Sequence, residues 1–425
     1  MENRRKLLIL GGTSLASDIV LTAQNMNMEV HVADYLQASP AKLIADKSHL
    51  VDVFDMKSLI EICEREKIDG VISGFSDMLM TCQSKLTASL GLPQLVNENQ
   101  ILKTTNKNTF SDLCKSYQID VAKRYEISRE GFVEGKKYIE YPVILKPSDA
   151  SGGKGITICR NEKALFEAFD KAYSHSKMGK VILEQYLEGD EVSIFYMFQN
   201  GDIHLTSIAD RHIREDQNGE IPLPVAYTYP SRSIENYIEK VDQNVKKMFA
   251  DLGVKNGMAF IQCKLIDNRF FFYDIGLRLT GTFEYKLIDN ICGYNPLEIL
   301  LNYVVGEKDR NIEIENLVDP GHKKYGGNLT FLCKTGCISE FVGINEISKI
   351  PGVIHLHQSY GEGDEISLKA KGTLAQVVLR VLFSSKTEED LKDKMDKVIN
   401  SFDVKDLEGN SMLLPQFDTN MWFCD

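Results

Sequence analysis

The chain is short of the features that mark membrane, secreted and nucleic-acid-binding proteins. No apolar run approaches the roughly 18 residues needed to span a bilayer, so no membrane partner is expected. The N-terminal stretch sets Arg4, Arg5 and Lys6 before apolar residues, but these run only from Leu7 to Leu10 before Gly11 and Gly12. That is shorter than the roughly 7–15 residue core of an export signal, and a first β-strand is the better expectation. Nine cysteines, an odd count scattered over 425 residues, imply no disulfide framework. The one close pair, Cys333 and Cys337, lacks the two-residue spacing of a redox or zinc motif. Buried thiols in a reducing cytoplasm are expected. Positive charge is in deficit too: 49 Lys and Arg against 61 Asp and Glu leave a net charge of −12. A polyanion would be repelled over most of such a surface, so no nucleic-acid partner is expected. A local cationic pocket for a small anion stays compatible with that balance.

What is present is globular. Hydrophobic residues make up 43% and charged residues 26% of the chain, and the length suits two to four domains. Residues 1–97 alternate strand and helix: strands at Leu7–Leu10, Glu29–Ala33, Leu50–Val53 and Gly70–Gly74, and helices from Ser14, around Pro40–Asp46, at Met56–Glu66 and at Asp77–Leu90. This rhythm predicts a parallel sheet that binds ligands at its carboxyl edge, here Gly11–Thr13, Asp34 and Phe75–Asp77. The Gly11-Gly12-Thr13-Ser14 turn with Asp34 falls short of a dinucleotide fingerprint, because Thr13 stands where a second glycine would admit a pyrophosphate. Residues 98–319 form a second region, with a lid at about 120–188, and residues 320–425 a third. The third carries helices expected near Leu374–Phe383 and Glu388–Ile399.

Three constellations carry chemistry. Lys146 ends a strand and is followed by Ser151-Gly152-Gly153-Lys154-Gly155, a loop whose backbone N–H groups suit phosphate oxygens. Glu184, Glu188, Asp190 and Glu191 crowd around Gly189, with Gln185–Leu187 able to offer backbone groups to an adenine. The third is a hairpin over residues 257–278 with its turn at Asp267-Asn268; Gln262 lies on one strand, Asp274 and Arg278 on the other. Oxygen donors on adjacent strands suit Mg²⁺, and an arginine beside them suits an anion. Arg211, His212 and Arg214 after a strand, with Tyr227, Tyr229 and Ser231 soon after, are candidate substrate contacts or a solvated loop. His355 and His357 alternate on one strand face, two ring donors without a third ligand nearby.

In this order and spacing the residues resemble the ATP-grasp superfamily, especially members related to biotin carboxylase, the carbamoyl-phosphate synthetase large subunit and amino-acid ligases. The likeness covers essentially the whole chain. It implies an α/β and α+β multidomain protein: a parallel αβ domain, an ATP-grasp domain and a C-terminal α+β domain. Lys107, in the run NKNTF, matches a first phosphate-binding lysine and Lys146 a second. Ser151, Gly152, Gly153 and Gly155 match the lid, and Glu184, Gln185, Tyr186 and Leu187 the adenine hinge. Glu191 matches the ribose-binding glutamate, Gln262 and Asp274 the metal positions, and Arg278 the arginine facing the reacting phosphate. Gly281, Gly11 and Gly12 are further substrate candidates. One departure stands out. The family's metal strand usually reads Glu-x-Asn-x-Arg; here it reads Asp274-Ile275-Gly276-Leu277-Arg278, one oxygen donor fewer.

The resemblance implies an ATP-dependent ligase using ATP and Mg²⁺ or Mn²⁺. Such an enzyme phosphorylates a small-molecule carboxylate and couples it to an amine, releasing ADP and phosphate. A homodimer is expected on the same ground. Alternatives are carboxyl activation of the biotin-carboxylase or carbamoyl-phosphate-synthetase kind, or nucleotide binding with weak or no turnover, which Gly276 favours.

Overall fold

Short apolar runs ending in small or polar residues build the first layer. In the computed structural model, which describes residues 4–127, 139–148, 155–176, 178–214, 222–307 and 312–423, strands β1 (Lys6–Leu10), β2 (Glu29–Asp34), β3 (Lys47–Leu50) and β4 (Gly70–Ser73) form a parallel sheet in the order β3–β2–β1–β4. Helices α1 (Ser14–Asn25), α2 (Pro40–Ile44), α3 (Met56–Glu66) and α4 (Asp77–Leu90) connect and follow them. Thr13, not Ser14, stands at the cap of α1, without a side-chain bond. The third strand lies earlier than the expected Leu50–Val53. Parallel pairing of His31 with Lys47 through Asp34 with Leu50 sets it, and this mostly exposed edge strand carries no apolar alternation to read. Asp34 closes its own turn: its carboxylate accepts from the Gly12 N–H at 2.8 Å and the Leu36 N–H at 2.7 Å. A Cβ on Gly12 would sit 1.9 Å from Ser39 Oγ, so this glycine answers a close approach within the fold.

Helices α5 (Glu98–Thr105) and α6 (Lys107–Ser116) lead to a small antiparallel sheet of β5 (Arg124–Tyr125), β6 (Val143–Pro147), β7 (Thr157–Cys159) and β8 (Val181–Gln185), in the order β5–β8–β6–β7. Helix α7 (Glu162–Ser174) buries Leu165, Phe169 and Ala172 against it. The largest sheet joins β9 (Asp190–Gln199), β10 (Asp202–Ile213), β11 (Pro224–Tyr229), β12 (Gly257–Ile266), β13 (Arg269–Gly276), β14 (Tyr325–Leu332), β17 (Val353–Gln358) and β19 (Val377–Ser385). Its order is β13–β12–β9–β10–β11–β14–β19–β17. Two short ladders, β15 (Gly336–Cys337) with β18 (Glu365–Ile366) and β16 (Glu340–Val342) with β20 (Asp403–Lys405), lie beyond it.

The hairpin turn has positive φ at both Asp267 (48°) and Asn268 (60°), the geometry of a two-residue turn that matches strand twist. The large sheet runs across residue 320, because β14 pairs with β11. The helix expected near Leu374–Phe383 is instead a single 3-10 turn, Leu374–Gln376, followed by β19. Val377–Phe383 is apolar on both faces apart from Arg380. Such a run suits a buried helix or a central strand equally, and pairing with β14 and β17 decides it. One face of the sheet meets the helix Glu388–Ser401. The other shares a core with β1, β2 and the helix Glu284–Cys292. No helix among the described residues is long and apolar enough to cross a membrane.

Candidate functional site

Lys146 leaves β6 buried, and its ammonium pairs with the Glu184 carboxylate on the neighbouring strand β8. Arg124 Nε approaches the other Glu184 oxygen at 2.7 Å. The same guanidinium donates to the Lys107 carbonyl at 2.5 Å and to Asn108 Oδ1 at 2.7 Å. Arg124 therefore ties the start of α6 to the two buried charges. Burial pushes the Glu184 pKa up, but Lys146 and Arg124 hold it below the ordinary carboxylate value. Lys107, Arg124, Lys146, Glu184, Phe272 and Tyr273 line one crevice.

In the hinge, the Gln185 N–H donates to the Lys123 carbonyl at 2.8 Å and the Tyr186 N–H to the Pro142 carbonyl at 2.9 Å. The Leu187 N–H has no backbone acceptor among the described residues. Ser151, Gly152 and Gly153 lie outside the described residues. Gly155 has φ +73° and is walled by His175 and Pro147, where a Cβ would stand 2.7 and 2.9 Å away.

Asp274 is open to solvent. Lys107, Arg278, Lys146 and Asp77 lie within electrostatic reach of it. Cations from α6, β6 and the segment after β13 thus lie within electrostatic reach of one carboxylate. Arg278 is held in a fork by Asp77 at the start of α4, at 2.6 and 3.2 Å, and its guanidinium lies 4.9 Å from the Phe260 ring centroid. That ring explains Gly276: a Cβ there would stand 2.3 Å from Phe260 Cε1. Phe260 fills the place a third donor would need. Gln262 pairs in register with both Asp274 and Ser193, and Ser193 Oγ is buried without a partner. A carboxylate, an amide oxygen and an orphaned hydroxyl form an oxygen-only donor set, which fits a hard cation.

Glu191 is a hub: one oxygen meets Lys264 Nζ at 2.9 Å, and the other meets Arg211 and accepts from the Tyr273 hydroxyl at 3.1 Å. Arg211 also lies 3.3 Å from the Tyr227 hydroxyl.

Residues 139–283 match the model of the ATP-grasp domain. The chain contains an ATP-grasp domain. Residues 7–95 match the PylC-like N-terminal domain. The formate-dependent phosphoribosylglycinamide formyltransferase of Sulfurisphaera tokodaii is 24% identical over 373 residues, 83% of this chain and 87% of its own. The L-amino acid ligase from Bacillus licheniformis superposes with a TM-score of 0.78 at 16% identity, covering 96% of this chain and 100% of that one. The biotin carboxylase domain of the Hydrogenobacter thermophilus 2-oxoglutarate carboxylase, solved with MgADP and bicarbonate, gives 0.75 at 14% identity, covering 97% and 92%. These likenesses establish the ATP-grasp fold.

The remaining candidates have packing contacts of their own. His212 is in β10, not in a loop after it. It bonds Thr228 Oγ1 at 2.8 Å and packs tilted on Phe417 and edge-on to Trp422, and burial pushes its pKa down to about 3. Gly281 packs on Leu15, with its Cβ position 3.2 Å from Leu15 Cδ1. Gly11 meets Leu79, and Gly12 serves the Asp34 turn. His355 and His357 clasp Phe283 at 4.8 and 4.7 Å. No three His, Cys, Asp or Glu side chains cluster to hold a metal ion among the described residues. Sequence reasoning passed over Arg124, Phe260, Lys264, Tyr273 and the pairing of Asp77 with Arg278. Arg124 had no readable signal, since its role depends on a two-residue strand that sets it opposite Glu184.

Proposed function

We propose that this chain is an ATP-dependent carboxylate–amine ligase. The observation that carries the reading is the crevice that Lys107, Lys146, Glu184 and Tyr273 line together, with Asp274 next to Tyr273 in β13 and Arg278 just beyond that strand's end. A carboxylate attacking the γ-phosphate is one anion approaching another, so catalysis rests on positioning and charge neutralisation. Lys107 and Lys146 bind the phosphates, with Glu184 and Arg124 fixing the Lys146 ammonium. The Leu187 N–H takes adenine, and Glu191 orders the ribose side of the cleft through Arg211 and Lys264. Arg278 leaves Asp77 to receive the acid being phosphorylated, and the Ser151–Gly155 loop excludes water from the acyl phosphate. The amine then displaces phosphate. Asp274 and Gln262 are the residues that would hold Mg²⁺ or Mn²⁺, which supplies positive charge to phosphate oxygens.

The relative from Sulfurisphaera tokodaii, a formyltransferase named for its dependence on formate, and the L-amino acid ligase both support this reading. A cytoplasmic homodimer belongs to the same proposal; the eight cysteines among the described residues are all free, in keeping with a reducing compartment. Incubation with ATP, Mg²⁺ and acid–amine pairs should release ADP only when both partners are present. AMP as product would refute the reading. The missing donor at Gly276 favours one alternative, nucleotide binding without turnover; there, Lys146→Ala would weaken ADP binding with no activity to abolish.

A further inference from the structure

The polar floor of the cleft continues beyond the phosphate end. Strand register sets Arg211 opposite Tyr227, Tyr227 opposite Asn328, Thr330 opposite Arg380, and Arg380 opposite His357. Arg380 lies within electrostatic reach of Arg211, Tyr227, Tyr229 and Glu284, and Arg211 within reach of Asp274. The row therefore leads from the metal end of the cleft to Arg380.

Arg380 differs from the paired cations of this face and of the neighbouring elements. Lys146 has Glu184, Arg211 and Lys264 have Glu191, Arg278 has Asp77, and Lys286 has Asp18. Arg380 is 6% exposed and donates to Thr330 Oγ1 at 2.6 Å; no carboxylate among the described residues pairs with it. A guanidinium has five N–H donors. Glu284, an acid within its electrostatic reach, spends its oxygens on the Thr280 N–H at 2.9 Å, the Thr280 hydroxyl and the Thr282 hydroxyl at 3.0 Å. Beside them Tyr229, 1% exposed, buries a hydroxyl that has no partner. A buried guanidinium without an acid and a buried hydroxyl without a bond are both costly. An arriving anion would satisfy both.

We infer that Arg380 and the Tyr229 hydroxyl form a subsite for a substrate carboxylate that survives the reaction, distinct from the carboxylate phosphorylated beside Arg278. One guanidinium balances one negative charge, so a carboxylate suits it better than a phosphate ester dianion. The distinction between the two carboxylates rests on the ligase reading. Either the acid carries a second carboxylate, or the amine is an amino acid joined through its nitrogen.

The test is calorimetric titration of the MgADP-bound protein. The probes are the L-amino acids, succinate and glutarate, each against its amide or methyl ester, with O-phosphoserine as the phosphate arm. At least one free acid should bind at millimolar concentration or better, and its amide or ester at least about 10-fold more weakly, the scale of one charge-assisted hydrogen bond. Arg380→Gln should abolish that difference with ADP affinity unchanged, and Arg380→Lys should restore part of it. Tyr229→Phe removes only the hydroxyl and should weaken the acid a few-fold in a folded protein. A dicarboxylate as the preferred probe places the second acid on the phosphorylated partner; an amino acid places it on the amine. Equal affinity for acid and ester, no free acid bound, preference for O-phosphoserine, or an acid preference that survives Arg380→Gln would each overturn the subsite. ADP release is read separately. An acid that binds through Arg380 without ADP formation from any acid–amine pair counts against the ligase reading and leaves the subsite standing.

Discussion

Gly276→Asn restores the oxygen donor that the metal strand lacks, and we expect it to fail. The backbone at Gly276 is not in the left-handed region, so asparagine meets no torsional penalty and the test isolates packing. Its Cβ would lie 2.3 Å from Phe260 Cε1 and 2.7 Å from Cζ, well inside contact distance. Phe260 is 5% exposed and cannot swing into solvent. Forcing extra atoms into such a site costs about 1–3 kcal/mol. The displaced ring also takes the support from under Arg278, a cation–π contact of about 0.5–1 kcal/mol where exposed and more where desolvated. The single variant should therefore lose stability in urea unfolding, and bind MgADP no better than the parent. In a Phe260→Ala background the same substitution should cost less than about 0.5 kcal/mol, because the clashing ring is gone, so the two changes should couple by about 1–3 kcal/mol. An unchanged unfolding midpoint with tighter Mg²⁺ dependence would refute the assignment of Phe260 as occupant of the donor position.

Other outcomes follow from the same geometry. Glu184→Gln leaves Lys146 and Arg124 buried without their acid; it should cost about 3–5 kcal/mol and weaken ADP binding, read by denaturation and calorimetry. Asp77→Ala frees Arg278 and should change KM for the acid substrate more than the affinity for ADP; equal changes in both would show that Asp77 only holds the fold. Arg211→Ala should lower kcat/KM, whereas His212→Ala should act on melting temperature, and equal losses in kcat/KM would refute their placement on opposite faces. Burial pushes His322, His355 and His357 down to about 4 and His212 to about 3. These histidines fold neutral, so stability is complete above the ordinary histidine value near 6.5. It falls as pH drops toward 4, where the unfolded chain takes up protons that the folded chain refuses. Urea unfolding across pH 7 to 4 measures this, and a flat profile would contradict it.

Legibility in the sequence followed the range of the interactions. The hairpin over residues 257–276 and its Asp267-Asn268 turn were readable because strand alternation and turn chemistry are local. Helices Met56–Glu66 and Asp77–Leu90 were readable for the same reason, with Gly91 taking the left-handed cap of the second at φ 67°. The edge strand Lys47–Leu50 and the strand Val377–Ser385 were not. The first has no apolar pattern of its own, and the second is apolar on both faces, so each acquires its state from its neighbours.

The site divides along the same line. Lys146, Asp274 and Arg278 could be picked out because their chemistry and order are written in the chain, and Lys107 through the resemblance to the ATP-grasp superfamily. Gly276 is written in the chain too, but only as a missing donor. The tertiary structure decided what that absence means, because Phe260 comes from the neighbouring strand to occupy the space. It likewise decided that Glu184 pairs with Lys146 and Arg124, that Asp77 holds Arg278 and that Arg380 is left without an acid among the described residues. These partners lie tens to hundreds of residues apart. Charge and packing act through space, so only the assembled sheet could bring them together.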